Sequence, residues 1–414
     1  MALLMCFKNS VLLLFLLFLG CGKTTNGKGT IAPEPLQEET PIKRDPIVVG
    51  ANRTNTYLPL LQHKKVAVVA NQTSVIFKKY KVGSHTHLVD SLLSLNIDIK
   101  KVFAPEHGFR GQADAGEKVM DGIDSRTGLP ILSLHGKSRK PSPGQLKDIE
   151  VVLFDIQDVG VRFYTYIATL QLVMEACAEN DIPLIVLDRP NPNGHYIDGP
   201  TMKREHVGFL GMNEIPLVYG MTIGEYAQMV NGEGWLPNGD RAQLTVIPLE
   251  SYDHQKPYSL PIRPSPNLPN DVAINLYPSL GLFEGTNVNA GRGTEFQFQR
   301  YGASFLDSTQ YSFAYVPHPN FGSKSPKENG KRCFGEDLHE HPRINEVSLQ
   351  WLINAYQNAT DTSLFFNTQN FTKHAGTEIL QQQLKAGHSE ATIRDSWKKD
   401  LEKFKKIREK YLIY

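Results

Sequence analysis

The chain is short of the residues that most often announce a chemistry. Only 4 of its 414 residues are cysteine. No two of them form a Cys-x-x-Cys pair, which argues against a zinc ribbon and a thioredoxin-like redox site. No Gly-x-Gly-x-x-Gly follows the first candidate strand and no Walker sequence occurs, so no nucleotide cofactor is expected. The Gly-x-Ser-x-Gly elbow of serine hydrolases is missing as well. Neither sign of charge dominates: Lys and Arg total 44 against 43 Asp and Glu, a net charge of +1. That balance gives no electrostatic case for a nucleic-acid partner. The lysine-rich stretch 398–410 is interleaved with Asp400, Glu402 and Glu409 and reads as a solvated helix face. His85-Thr86-His87 has no carboxylate at ligand spacing, so these are read as surface histidines and no metal site is expected. No internal repeat is visible.

Long apolar runs are also scarce. The run at 11–19 is too short to span a bilayer, which takes about 20 residues, but it has the length of a signal-peptide core. Its ending, Phe18-Leu19-Gly20-Cys21, resembles a bacterial lipobox, with Phe18 where Leu is usual. Acylation of Cys21 is the expectation, and ordinary signal cleavage is the alternative. Residues 22–45, rich in Gly, Thr, Pro and Glu, read as a flexible tether. The expected location is the periplasm or cell envelope, with a lipid anchor to the membrane. Of the remaining cysteines, Cys177 fits a helix core and Cys333 a loop; a disulfide between them is a possible pairing.

Short β-branched runs are what the chain does have. They fall at 66–70, 102–104, 151–154 and 184–187, with a further one at 244–247. Each has the character of a strand buried on both faces. Helical patterns at 87–95 and 166–178 separate the first four. This alternation predicts an α/β fold: a Rossmann-like parallel sheet domain over 46–305, followed by a smaller α+β domain over 306–414. Thr222 and Glu225 form a capping box at the start of a helix near 221–230. The Pro-, Gly- and Asn-rich segment 258–293 is expected to be a long irregular loop. The later domain is expected to hold a strand near 311–316 and helices at 348–357, 378–385 and 393–411.

Ligands of open parallel sheets bind beyond the carboxyl ends of the strands. Those ends are polar here: Asn71-Gln72-Thr73; Glu106-His107 with Arg110; Asp155 and Asp158 with Arg162 and Tyr164; and Asp188-Arg189 with Asn191. Paired carboxylates are the machinery of glycoside hydrolysis, and one of them must stay protonated to act on the leaving oxygen. Glu106, after an apolar strand and Pro105, is the best candidate for that acid. A structural ion pair with Arg110 or Arg162 is its bland alternative. Asp155, Asp158 and Asp188 could equally hold turns or pair with arginine.

Several motifs, in order, resemble the NamZ-like exo-acting β-N-acetylmuramidases. They are Ala104-Pro105-Glu106-His107-Gly108-Phe109-Arg110-Gly111, Phe154-Asp155-Ile156-Gln157-Asp158 running on to Tyr166, Leu187-Asp188-Arg189-Pro190-Asn191-Pro192 and Gly220-Met221-Thr222-Ile223-Gly224-Glu225. Pro264-Ser265-Pro266-Asn267, Tyr277-Pro278, Leu282-Phe283-Glu284-Gly285-Thr286-Asn287 and Gly291-Arg292-Gly293-Thr294 follow. Glu295-Phe296 departs from the Pro-Phe pair common there. The resemblance implies a cleft between two domains and release of non-reducing terminal N-acetylmuramic acid from peptidoglycan fragments. Within it Glu106 would be the general acid, with Asp155, Asp158 or Glu284, or the substrate's own acetamide, as its partner. His107 would tune Glu106. Arg110, Arg162, Arg189 or Arg292 would take the lactyl carboxylate through paired hydrogen bonds. Tyr164 or Tyr166 would stack on a sugar, and Asn191 and Asn267 would hold hydroxyls or the acetamide. A non-catalytic, lipid-tethered muropeptide- or sugar-binding protein is the competing reading. An amidase would want a zinc cluster or a nucleophilic Cys or Ser that the chain does not offer.

Overall fold

The computed structural model describes residues 45–78, 83–111, 120–136 and 138–414. The expected signal segment, the acylated Cys21 and the tether up to Arg44 lie outside the described residues. In chain order the strands are β1 (Val66–Ala70), β2 (Val75–Phe77), β3 (His85–His87), β4 (Ile99–Ala104), β5 (Gly122–Ile123) and β6 (Pro130–Ser133). There follow β7 (Val151–Asp155), β8 (Leu184–Leu187), β9 (Leu244–Ile247), β10 (Arg300–Ala303), β11 (Phe313–Tyr315) and β12 (Cys333–Asp337). The helices are α1 (Thr54–Leu61), α2 (Leu88–Ser94), α3 (Pro143–Leu146), α4 (Tyr166–Glu179), α5 (Ile223–Gly232) and α6 (Asp271–Leu280). The last five are α7 (Gln350–Gln357), α8 (Thr368–Ala375), α9 (Ile379–Lys385), α10 (Glu390–Asp395) and α11 (Lys398–Arg408).

The β-branched runs become strands because both of their faces find cover. Val66, Val68 and Ala70 of β1 share an apolar cluster with Val102 of β4, Ile185 of β8, and Leu61 and Leu92 of α1 and α2. Ala67, Val69, Phe103, Phe154 and Val186 point the other way and join Leu170 and Met174 of α4 and Val230 of α5. Each fully buried side chain of this size contributes roughly 1.5–3 kcal/mol. One sheet results, in the order β5-β6-β4-β1-β7-β8-β9. Its pairings are parallel except for β5 with β6. A second, antiparallel sheet runs β10-β12-β11. The α/β class is therefore as the alternation predicts.

The capping box at α5 is present: the Thr222 hydroxyl accepts from the Glu225 amide and the Glu225 carboxylate accepts from the Thr222 amide. Three expectations need correction. The segment 258–293 is not irregular throughout, because α6 begins just after the proline cluster that ends at Pro269 and carries Pro278 within it. Asn270 caps it by accepting from the Ala273 amide, and Ala273, Ile274, Leu276 and Leu280 bury one side. The terminal helix is broken into α10 and α11, with the Trp397 side chain buried at the break. Cys333 lies in a strand rather than a loop, and both it and Cys177 are buried free thiols, so no disulfide joins them.

At the centre of the sheet Asp155 closes β7 and meets Arg189, just past β8. Arg189 Nε and Nη2 donate to the two carboxylate oxygens at 2.6 and 2.8 Å, and both side chains are buried. Breaking such a pair from one side leaves an uncompensated charge, whereas replacing both partners with apolar groups is often nearly neutral. Arg189→Met is therefore expected to cost about 3–5 kcal/mol in urea unfolding. Adding Asp155→Leu is expected to recover most of that loss; equal losses in the single and double variants would contradict the pairing as the cause.

Candidate active site

The polar strand ends fall into two groups in space. One group lines a cleft of about 150 Å³. Glu106 and His107 come to it from the turn after β4, and Phe163, Tyr164 and Thr165 from the approach to α4. Asn267 arrives from the proline-rich segment, Tyr277 from α6, Glu284 and Arg292 from beyond it, and His374 from α8.

The turn that carries Glu106 is tight. The Gly108 amide donates to the Pro105 carbonyl at 3.0 Å, and His107 takes a left-handed φ of 70°, a conformation uncommon for a residue with a side chain. The Thr165 hydroxyl donates to Glu106 Oε2 at 2.7 Å. The negative charge of Glu106 reaches Tyr166 and Tyr277 and contributes to their raised pKa, which is due first to burial. Tyr164 donates to the Pro264 carbonyl at 2.7 Å. It packs edge-on against Tyr166 and Tyr277, with ring centroids 4.8 and 6.1 Å away.

Glu284 sits among cations. Arg292 Nη1 is 3.2 Å from its Oε2. Lys327 Nζ donates to the Phe283 and Glu284 carbonyls at 2.8 and 3.1 Å. Burial raises the pKa of Glu284, but Lys327 and Arg292 together overcome it and leave the carboxyl below its usual range. His374 Nδ1 lies 2.9 Å from the Asn370 carbonyl. A carbonyl only accepts, so Nδ1 carries the proton and Nε2 is an acceptor. Burial lowers the pKa of this ring and keeps it neutral at pH 7. Asn267 Nδ2 donates to the Gly322 carbonyl at 2.7 Å, while its Oδ1 is buried with no protein partner.

The second group is built into the fold, away from the cleft lining. Asp155 and Arg189 hold each other. Asp188 accepts from the Thr222 hydroxyl, the Gly224 amide and the Tyr414 hydroxyl at 2.7–2.8 Å, which fixes the start of α5. Asn191 donates to the Met221 carbonyl at 2.8 Å and accepts from the Asn193 amide. Gly160 (φ 76°) lies against it so closely that a Cβ there would come within 2.3 Å of the Asn191 amide. Arg110 bonds Asp124 and Asp90. Arg162 donates to four backbone carbonyls. Asp158 is buried and accepts from the Gly160 amide and the Tyr219 hydroxyl, while its Oδ1 has no partner.

Thr165 and Tyr277 stood inside the quoted motifs but were given no role. Lys327 and His374 carried no local signal at all; only the fold brings them to Glu284. Among the described residues no group of three or more His, Cys, Asp or Glu side chains is placed to hold a metal ion.

A parallel α/β sheet with two carboxylates in one aromatic-walled cleft defines the class, and comparison with known proteins gives the family. Residues 66–272 match the model for the N-terminal part of the exo-β-N-acetylmuramidase NamZ, and residues 275–414 the model for its C-terminal part. The peptidoglycan β-N-acetylmuramidase NamZ of Bacillus subtilis (strain 168) is 38% identical over 380 residues, covering 86% of this chain and 89% of that protein. Two crystal structures of DUF1343 family proteins from Bacteroides fragilis NCTC 9343 superpose with TM-scores of 0.80 and 0.73, at 42% and 27% identity. Each alignment covers 89% of this chain and 99% of the other. The chain belongs to the exo-β-N-acetylmuramidase NamZ family and is an enzyme of the glycoside hydrolase class.

Burial pushes the Asp158 carboxyl up from 3.8 to about 7. The folded state therefore binds more protons than the unfolded chain between those values, and the stability tied to Asp158 falls as pH rises from about 4 to 7. The slope is at most about 1.4 kcal/mol per pH unit. Asp158→Asn is expected to flatten this part of the profile in urea midpoints taken from pH 4 to 8. Parallel profiles for the two proteins would rule out Asp158 as the source.

Proposed function

We propose that the chain is an exo-acting glycosidase that releases non-reducing terminal N-acetylmuramic acid from peptidoglycan fragments, with the cleft as its active site. The observation that carries the reading is the pairing of two carboxylates in the lining of one cleft. Glu284 is held ionised by Lys327 and Arg292. Glu106 accepts from the Thr165 hydroxyl beside an aromatic wall. Paired carboxylates of this kind supply the acid and the base or nucleophile of glycoside hydrolysis. Glu106 is then the general acid for the leaving oxygen, and Glu284 the base or nucleophile facing the anomeric carbon. Arg292 is the one of the four candidate arginines in the cleft lining and takes the lactyl carboxylate. Asn267, in the cleft lining, suits the acetamide. The activity carried in the name of the B. subtilis relative supports this substrate class.

The experiment is chromatography of free muramic acid released from a muramyl disaccharide. Glu106→Gln and Glu284→Gln are each expected to lower kcat by about 10²–10⁴-fold. Equal release by Glu106→Gln and the unaltered chain would discard Glu106 as the acid. Binding without release by any of the proteins would favour a sugar-binding role instead.

The proposal includes export and acylation at Cys21, supported by Phe18-Leu19-Gly20-Cys21 after an apolar run. In detergent phase separation of expressing cells, the unaltered chain is expected in the detergent phase and Cys21→Ser in the aqueous phase. Aqueous partitioning of both would remove the anchor.

A further inference from the structure

A second cavity, of about 390 Å³, lies between the segment 201–214, the end of α5 and α11. Its volume is within the range of small-ligand sites, roughly 300–1,000 Å³. Met202, Met212, Trp235, Phe404 and Ile407 give it an apolar floor.

One oxygen in its wall is left for a ligand. The Trp235 carbonyl, which can only accept, faces Gln171 Nε2 at 3.4 Å. The reverse orientation of Gln171 would set two acceptors against each other. Gln171 Oε1 therefore accepts from Asn213 Nδ2 at 2.6 Å, and the same Nδ2 donates to the Tyr226 hydroxyl at 2.8 Å. The Asn213 amide protons are thus engaged inside the protein. Its Oδ1 remains as an acceptor in a side chain that lines the cavity. A fixed acceptor over an apolar floor suits an amide N–H group that carries a small apolar side chain.

Charge at the mouth adds a sign. Lys203 pairs with Asp400 and Arg204 with Glu214. On α11 and just past its end, Lys398, Lys405 and Lys410 are paired with Asp395, Glu402 and Glu233. Lys399, Lys403 and Lys406 are exposed, follow one another at helical spacing and enter no ion pair among the described residues. Lys403 lines the cavity itself, and all three border the adjoining surface depression. The uncommitted charge at this mouth is positive.

We propose that this cavity is a binding site for a short acidic peptide. An amide N–H group of it bonds Asn213 Oδ1, its small side chain rests against Trp235, and its carboxylate meets Lys403. That the peptide is one borne by a peptidoglycan fragment rests on the glycosidase reading; the site itself does not. The same segment carries Leu210 to the catalytic cleft and Val207 and Met212 to this cavity, so the two sites share a wall.

The test is titration of the full chain with the dipeptide L-alanyl-γ-D-glutamate, read by tryptophan fluorescence. A saturable change is expected, lost in Trp235→Phe and shifted at least about 10-fold to higher concentration in Lys403→Glu. Hydrolysis of a peptide-free muramyl disaccharide is expected to be unchanged in both variants. No saturable change, or one insensitive to Lys403→Glu, would overturn the site. Competition by free muramic acid would overturn it too, by placing the dipeptide in the cleft. Peptide binding without hydrolysis of the disaccharide by any of the proteins would sink the glycosidase reading and leave the peptide site standing.

Discussion

The cleft wall ahead of α4 depends on one buried cation. Arg162 Nη1 donates to the carbonyls of Pro200 and Ile215 at 2.7 and 3.0 Å, and Nη2 to those of His374 and Ala375, both at 2.8 Å. No carboxylate balances it among the described residues. Burial lowers its pKa to about 9, which still leaves it charged near neutrality. The last carbonyls of a helix carry partial negative charge, so the end of α8 serves as the counter-charge. Gly376 follows with a φ of 80°, and a Cβ there would sit 2.7 Å from Arg162 Nη2. The guanidinium thereby ties the segment 200–215 and α8 to the three residues that follow it, Phe163, Tyr164 and Thr165. His374, Thr165 and, through Thr165, Glu106 are all positioned from that one point.

The sheet was open to reading because its information is local. A run such as Val66-Ala67-Val68-Val69-Ala70 is buried on both faces wherever it lies, and turn chemistry such as Thr222 with Glu225 needs only neighbours in sequence. The α6 helix was hidden for a matching reason. The prolines before Asn270 dominate the composition of the window, while the helix depends on a cap and on packing supplied from elsewhere. The site was legible to a lesser degree. Glu106, Tyr164, Asn267, Glu284 and Arg292 stand in motifs that the fold gathers into one cleft. Lys327 and His374 stand in none. Their proximity to Glu284 is a property of the folded chain.

The charged residues that turn out to be structural show why a strand end is an ambiguous place. The carboxyl ends of parallel strands need their backbones tied off, the following helices need capping, and the interior admits charge only when it is satisfied. Asp188 caps α5, Asp155 neutralises Arg189, and Asp158 braces the turn at Gly160. Carboxylates that support the chain and carboxylates that act on a substrate occupy the same kind of sequence position. The cleft carboxylate differs here in reach: Glu106 lies beyond the strand end on a strained turn and lines the cleft, whereas the three aspartates bond back into the strand ends and turns beside them.

Charge balance in the cleft links substrate to proton. Among its described lining residues, Glu106 and Glu284 face Arg292, with Lys327 just behind and a neutral His374. On the proposed reading the ligand brings one carboxylate of its own to Arg292. That arrival adds a third carboxylate to a cleft whose lining holds two. A like charge in a partly desolvated space disfavours ionisation of a carboxyl group. Lys327, behind Glu284, stays as a counter-charge. On that reading an anionic sugar brings with it a drive toward proton uptake in the cleft, and an uncharged sugar of the same shape would not.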